Sequence, residues 1–223
     1  EAGERELLDM IAHTEADIVV NGIAGASGLL PSKAALDSGK DLALANKETI
    51  VMAGNLVRAL AAKTGKRILP VDSEHSAVFN LIEAYGKDNV AEIVVTASGG
   101  PFRTWERSRL ASVTPEDALK HPTWSMGAKI TIDSASLANK GLEVIEACRL
   151  FGFPPERVKV TVHPQSLVHS FIRTADGVLY AQVSPPDMRH PILSALGWPQ
   201  YTPNYLEPLT FDKLCTMQFE PPR

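Results

Sequence analysis

The stretch DIVVNGIAGASGLLPSKAALDSGKDLALANKETIVMAGNLVRALAAKTGKRILPV, from Asp17 to Val71, decides the fold. Asp17–Val20, Leu42–Ala45 and Arg67–Val71 are short apolar runs that read as strands. Leu29–Ser38 and Glu48–Lys63 between them carry helical periodicity, and Gly39 and Gly65 stand where each helix should stop. Glu4–Ala12 adds a helical pattern upstream, extending back to Glu1. Strands alternating with helices predict a parallel sheet with crossover helices, which binds ligands at the carboxyl ends of its strands. Asn21–Gly28, Asn46–Glu48 and Asp72–Glu74 fall at those ends. Gly22, Gly25 and Gly28 do not form a G-x-G-x-x-G dinucleotide fingerprint.

Downstream the pattern changes. Ser76–Tyr85 reads as a helix, Ile93–Thr96 and Lys129–Ile132 as strands, and Ala135–Phe151 as a long helix. Val158–Val162, Leu167–Thr174 and Val178–Val183 read as strands, the last two joined as a hairpin across Ala175–Gly177. Asp187–Leu196 is a further helix, and the chain beyond Trp198 is rich in proline and turn formers. The expected fold class is α/β: a partial doubly wound, Rossmann-like parallel sheet, then a mixed α/β catalytic domain with an antiparallel hairpin. The expected boundaries are 1–71, 72–197 and a linker at 198–223.

Composition narrows the function classes. The 223 residues carry 22 Lys+Arg against 26 Asp+Glu, a net charge of −4. That balance argues against a nucleic-acid partner, which needs a basic excess or stripe. Two cysteines, Cys148 and Cys215, make neither a disulfide framework nor a cysteine-based zinc site. No apolar run is long enough to span a bilayer and no signal peptide opens the chain, so a reducing compartment is expected. Glu1 opens in mid-architecture and Glu220–Arg223 reads as a linker, so a fragment of a longer protein is expected.

Several constellations bear on chemistry. Asp72 and Glu74 follow a strand; if the extended conformation continues, both carboxylates point one way and Ser73 the other. Adjacent carboxylates repel unless a proton or cation lies between them, and hard divalent cations prefer oxygen ligands. The same D-x-E also suits a helix cap, with Glu74 in a first helical turn. On the helix from Ala135, Asn139 and Glu143 share a face that Lys140 borders. Taken alone that is a solvated face with a Lys140–Glu143 pair; the other reading makes Glu143 a third metal carboxylate and gives Asn139 and Lys140 to an anion. Leu137, Leu142, Val144, Ile145, Ala147 and Leu150 form its expected buried side. Ser98-Gly-Gly-Pro101 suits close approach of backbone to an anion. Ser134, near the expected helix start, either caps it or offers its hydroxyl to a phosphate. His121–Gly127 places Trp124 and Met126 on a turn-rich segment that fits a lid or a permanently docked loop. Lys47 at a helix N-terminus is disfavoured by the dipole, a conflict that a bound anion would remove.

Leu44–Val51, Val71–His75, Ser98–Phe102, His121–Gly127 and Asp133–Glu143 together resemble, in order, the motifs of the 1-deoxy-D-xylulose 5-phosphate reductoisomerase family. His163–His169 and Pro186–Arg189 match as well, so the resemblance spans nearly the whole chain. It implies NADPH- and divalent-metal-dependent rearrangement and reduction of 1-deoxy-D-xylulose 5-phosphate to 2-C-methyl-D-erythritol 4-phosphate, in non-mevalonate isoprenoid biosynthesis. It implies that Asp72, Glu74 and Glu143 hold Mn²⁺, Mg²⁺ or Co²⁺, and that Ser98, Ser134, Asn139 and Lys140 meet the phosphate, with His121 also reaching the substrate. Lys47 and Ser73 would meet the substrate's hydroxyl end, and Asn46, Glu48 and Gly127 the cofactor. Trp124 matches the lid aromatic, and Met126 and Met188 match residues near the nicotinamide. On this reading residues 1–71 are the C-terminal part of an NADPH-binding domain, whose glycine-rich turn is absent, as is the family's C-terminal helical domain. The whole protein is expected to be a homodimer without nucleic-acid or membrane partners, in the cytoplasm or a plastid stroma. Two alternatives stand beside this: an inactive sugar-phosphate- and metal-binding module, and a non-redox metal-dependent aldolase or isomerase.

Overall fold

A computed structural model describes residues 3–203 and 205–223. The helical pattern expected from Glu1 is described from α1 (Glu4–His13) onward; Glu1 and Ala2 lie outside the described residues. β1 (Ile18–Asn21), α2 (Leu29–Asp37), β2 (Asp41–Leu44), α3 (Lys47–Thr64) and β3 (Ile68–Pro70) follow in the expected alternation. All three strands are parallel, in the order β1-β2-β3. The central β2 is apolar on both faces, as a strand covered by helices on both sides must be. Leu36, Leu42, Leu44, Ile50 and Val57 form the core on one face. Ala43, Leu69 and Val71 pack on the other against Ala195.

The second unit begins with α4 (Ser73–Tyr85) and β4 (Val90–Ala97), continues through the short α5 (Pro115–Ala118), α6 (Ala128–Ala135) and α7 (Ala138–Phe151), and then forms β5 (Val158–Val162), β6 (Val168–Thr174) and β7 (Leu179–Val183). α8 (Arg189–Gly197) returns to the first sheet, where Ile192 and Ala195 join the core beneath Ala43 and Leu69. The second sheet has the order β5-β4-β6-β7, with β4 parallel to β5 and the other pairs antiparallel. Its core joins Ile93, Val95 and Ile172 to Val78, Ile82, Ala147 and Phe151 of α4 and α7. Among the described residues, no helix is long and apolar enough to cross a membrane.

Three expectations need correction, and one pair of alternatives is decided. Lys129–Ile132 is part of helix α6, not a strand. Its β-branched residues favour a strand, but among the described strands none lies beside it, and a helix satisfies its backbone internally. The Lys129–Asp133 pair, at 2.8 Å, spans one helical turn. The helix expected from Ala135 is two helices, because Leu137 takes a left-handed φ of 60° between α6 and α7. Of the two readings of Asp72–Glu74, the helix cap is the one that forms: Asp72 caps α4, and Ser73 and Glu74 start its first turn. Finally, the face of α7 expected to be solvated is its most buried one. Lys140, Glu143 and Glu146 are buried, whereas Ile145 is exposed.

The two units meet where α3 crosses α7. α3 is kinked at Ala53, φ −133°. Nη1 of Arg149 on α7 donates to the carbonyl oxygens of Ile50 and Val51 beside that kink, which accounts for the break as an insertion into the helical ladder. Gly54 makes the approach possible: a Cβ there would lie 3.0 Å from Arg149 Cβ and 3.2 Å from Ile50 Cγ2. Gly54→Val should therefore overpack this joint and destabilise the protein by about 1–3 kcal/mol. Urea unfolding with an unchanged midpoint would contradict the account.

Candidate active site

The residues that follow β2 and β3 of the first sheet and β4 of the second line one cavity, together with the first turns of α7. Asn46 caps α3 by accepting the Thr49 N–H at 2.9 Å. Its amide nitrogen donates to the carbonyls of Ile23 and Gly25 and to Glu48, so it also holds the glycine-rich loop after β1. Lys47 follows at the first position of α3. The dipole conflict expected there is resolved by the protein's own carboxylates. Lys47 Nζ lies 2.9 Å from Asp72 Oδ2, 2.9 Å from Glu143 Oε1 and 2.8 Å from Asn139 Oδ1.

Lys140, one position after Asn139 on α7, plays the matching part. Its Nζ lies 2.7 Å from Glu74 Oε1 and also bonds Glu143 Oε2. One oxygen each from Asp72, Glu74 and Glu143 lies within 4.8 Å of the others. Three carboxylates against two ammonium groups leave one negative charge in excess, and the donors are all oxygen. That set fits a hard divalent cation.

The electrostatics follow from this crowding. Burial opposes the charge on Lys47, yet Asp72 and Glu143 hold its pKa well above the ordinary lysine range. Burial likewise opposes ionisation of Asp72, but Lys47 and His75 keep its pKa well below the usual carboxylate value. Glu74 carries the surplus: burial, and then the charge of Glu143, push it up to about 7. Ser73 Oγ donates to Glu74 Oε2.

The opposite wall belongs to β4 and the segment after α5. His121 Nδ1 accepts the backbone N–H groups of Thr123 and Trp124, at 3.1 and 2.8 Å. Its hydrogen therefore sits on Nε2, which donates to Ser98 Oγ at 2.9 Å. Burial lowers the His121 pKa, in keeping with this neutral tautomer. Ser98 Oγ also accepts the Gly100 N–H, so the Ser98 hydroxyl hydrogen is left to donate elsewhere. Gly100 needs its φ of +69°, and a Cβ there would lie 2.6 Å from the Ser134 carbonyl oxygen. Ser134 sits in the last turn of α6, not at the start of the helix carrying Glu143, so the N-terminal cap expected of it does not form.

Lys47, Ser73, Glu74, Ser98, His121, Trp124, Ser134, Lys140 and Glu143 all line one cavity of about 230 Å³, with Asp72, Asn139, Met126 and Met188. An adjoining cleft takes in Asn46, Glu48 and Gly127, and shares Lys47 and Asn139 with it. The ion pair of Lys129 with Glu48, at 2.7 Å, bridges α6 and α3 there. The segment at 121–127 is docked by Thr123 Oγ1 donating to the Pro164 carbonyl and by Trp124 beside His169. Sequence reasoning passed over two buried residues, His75 and Glu146. Their signals were positional: His75 directly follows the D-S-E triplet, and Glu146 lies one helical turn beyond Glu143.

Three family models match the chain. 1-deoxy-D-xylulose 5-phosphate reductoisomerase matches residues 1–54, its C-terminal domain residues 68–151, and the DXP reductoisomerase C-terminal domain residues 183–223. The 1-deoxy-D-xylulose 5-phosphate reductoisomerase of Treponema denticola is 55% identical over 223 residues, all of this chain and 58% of that protein. The Zymomonas mobilis reductoisomerase, solved in complex with NADPH, superposes with a TM-score of 0.91 at 45% identity, over 100% of this chain and 57% of that one. A DOX-P reductoisomerase solved in complex with NADPH, fosmidomycin and magnesium also gives 0.91, at 40% identity, covering 99% of this chain and 56% of that one. The chain thus spans somewhat over half the length of these relatives. With matching sequence along nearly its whole length and the same fold, the chain belongs to the 1-deoxy-D-xylulose 5-phosphate reductoisomerase family.

Proposed function

We propose that the protein to which this chain belongs converts 1-deoxy-D-xylulose 5-phosphate to 2-C-methyl-D-erythritol 4-phosphate with NADPH and a divalent cation. The observation that carries this reading is the convergence of Asp72, Glu74 and Glu143 in the cavity that also holds Lys140 and the free Ser98 hydroxyl. The solved relatives that hold NADPH and magnesium favour it over a non-redox aldolase or an inactive binding module.

When bound, the cation supplies Lewis acidity at the substrate's oxygens and NADPH supplies the hydride. Asp72, Glu74 and Glu143 are the proposed metal ligands. A cation among them takes over the charge that Lys47 and Lys140 now balance, freeing both ammonium groups for an anionic substrate. Lys140, Asn139, Ser98 and Ser134 are assigned to the phosphate and His121 to the substrate beside them; the neutral His121 fixes the Ser98 hydroxyl so that it can donate. Lys47 and Ser73 are assigned to the hydroxyl end. A phosphate anchored away from the reacting carbons provides binding energy that orients them. Trp124 and Met126 cover the cavity and exclude water. Asn46, Glu48 and Gly127 are assigned to the cofactor, with Met126 and Met188 beside its nicotinamide. Asn46 would act mainly by holding the loop at 23–25.

The domain reading is 1–71 for the C-terminal part of the NADPH-binding domain, 72–197 for the catalytic domain and 198–223 for a linker. The separate sheets support it, although Glu220 of the last segment pairs with Val162. The unpaired thiols Cys148 and Cys215 suit a cytoplasmic or plastid-stromal location. We assign the whole protein as a homodimer because edge strand β7 leaves Leu179 and Val183 exposed and suits pairing with a second copy.

Three outcomes are expected of the full-length protein. Glu143→Gln should lower kcat/KM by on the order of 10³-fold with an unchanged circular dichroism spectrum; near-normal metal-dependent NADPH oxidation would refute the ligand role. Because Glu74 titrates near 7 without metal and must be ionised to coordinate, Mn²⁺ binding at pH 7 should release protons. Affinity should then fall as pH drops from 8 to 6, by up to about tenfold per unit. Calorimetric heats that are the same in buffers of different ionisation enthalpy, with a flat pH profile, would contradict this. Sedimentation equilibrium should give a dimer mass that Leu179→Lys with Val183→Lys shifts toward the monomer; a monomeric wild type would end the dimer assignment.

A further inference from the structure

Glu146 is a carboxylate that the proposed reaction does not use. It lies on α7 one turn beyond Glu143 and is only 2% exposed. Among the described residues, no donor makes a hydrogen bond to its Oε2. Such burial is strongly disfavoured unless something offsets it. Oε2 faces Nδ1 of His75, 3.5 Å away.

His75 is itself fully buried, and both its nitrogens meet acceptors. Nδ1 lies 3.0 Å from Asp72 Oδ1, and Nε2 lies 3.0 Å from the backbone carbonyl oxygen of Glu143. A carbonyl oxygen only accepts, so Nε2 carries a hydrogen. Nδ1 faces carboxylates from Asp72 and Glu146 and donates as well. The ring is stacked on Phe151 at 6.1 Å and 18°. One imidazole thus ties the side chain of one proposed cation ligand to the helix that carries another.

The consequence falls on Asp72. Its Oδ1 is taken up by three donors, the N–H groups of Glu74 and His75 and the imidazole. Its Oδ2 is left facing Lys47. We propose that Glu146 is a positioning residue: it holds the His75 ring against Asp72 and the Glu143 carbonyl, and so aims Asp72 Oδ2 and α7 at one divalent cation. This deepens the reading above and rests on its cation site. Losing a residue that orients metal ligands in this way typically weakens metal binding 10- to 100-fold.

The test is Mn²⁺ binding by the full-length protein without substrate or NADPH, followed by electron paramagnetic resonance. Glu146→Gln keeps the shape and removes the charge; it should raise the Mn²⁺ Kd by about tenfold or more. Glu146→Asp, which keeps the charge but withdraws it, should fall between Glu146→Gln and wild type. The decisive comparison adds His75→Asn. If Glu146 acts through the ring, Glu146→Gln should weaken binding no further in that background, whereas a merely structural role would add its loss again. Should Glu146→Gln fail to fold, Glu146→Asp carries the same comparison. Wild-type affinity in Glu146→Gln, or additive losses, would overturn the positioning role alone. A wild-type protein that binds no Mn²⁺ would overturn the cation site and this role together.

Discussion

Three carboxylates cannot share a buried corner without positive charge among them, and the rest of this structure is arranged around that constraint. Asp72, Glu74 and Glu143 come from a helix cap, a first helical turn and a distant helix, and Lys47 and Lys140 are interleaved with them. Removing one partner from a buried pair of this kind typically costs about 3–5 kcal/mol. The arrangement therefore demands that α3, the β3–α4 corner and α7 meet within a few ångströms. The joint that brings them together is the crossing of α3 and α7, with Gly54 thinned to a hydrogen and the Arg149 guanidinium set into the kink.

The same charges explain how such a corner can serve a ligand. In the proposed reaction, the lysines that neutralise carboxylates in the protein alone would become available once a cation took their place. The elevated pKa of Glu74 marks the one carboxylate for which two ammonium groups are not enough. Across the cavity, the neutral His121 leaves a serine hydroxyl to donate and adds no charge. One wall thus gathers carboxylates and ammonium groups and the other offers a neutral hydroxyl, the division that the proposed metal-assisted reaction of a phosphorylated sugar would call for.

The Ser98 side of the cavity depends on support from residues 218–220. Gly99 and Gly100 both have positive φ, and a Cβ on Gly99 would meet Arg103 Cδ at 2.5 Å. Arg103 is held by Glu220 at 2.8 Å, while Glu220 exchanges backbone hydrogen bonds with Val162. His163 donates from Nδ1 to the Gln218 carbonyl and stacks on Phe219. A segment that reads as linker therefore pairs with the last residue of β5 and braces the loop that carries Ser98.

Periodicity alone located the strands and helices of the first unit, because each apolar run there follows its own repeat and is bounded by glycine. Residue types and spacing raised Asp72, Glu74, Asn139, Lys140 and Glu143 as candidates, but taken alone they also suited a helix cap and a solvated face; the family resemblance joined them into one site. Three matters were decided only by tertiary contacts. Ile130–Ile132 has strand propensity but, among the described residues, no neighbouring strand, so it became helix. Leu137 broke one expected helix in two, and with it moved Ser134 from a helix start to a helix end. The buried face of α7 proved to be its charged one, because the carboxylates of α4 and the ammonium of Lys47 lie opposite it. His75 and Glu146 are 71 positions apart, and nothing local couples them; their pairing depends on α4 and α7 packing together. Local repeats thus determined the elements of the first unit, whereas contacts between distant segments decided helix against strand at Ile130–Ile132 and which face of α7 turns inward.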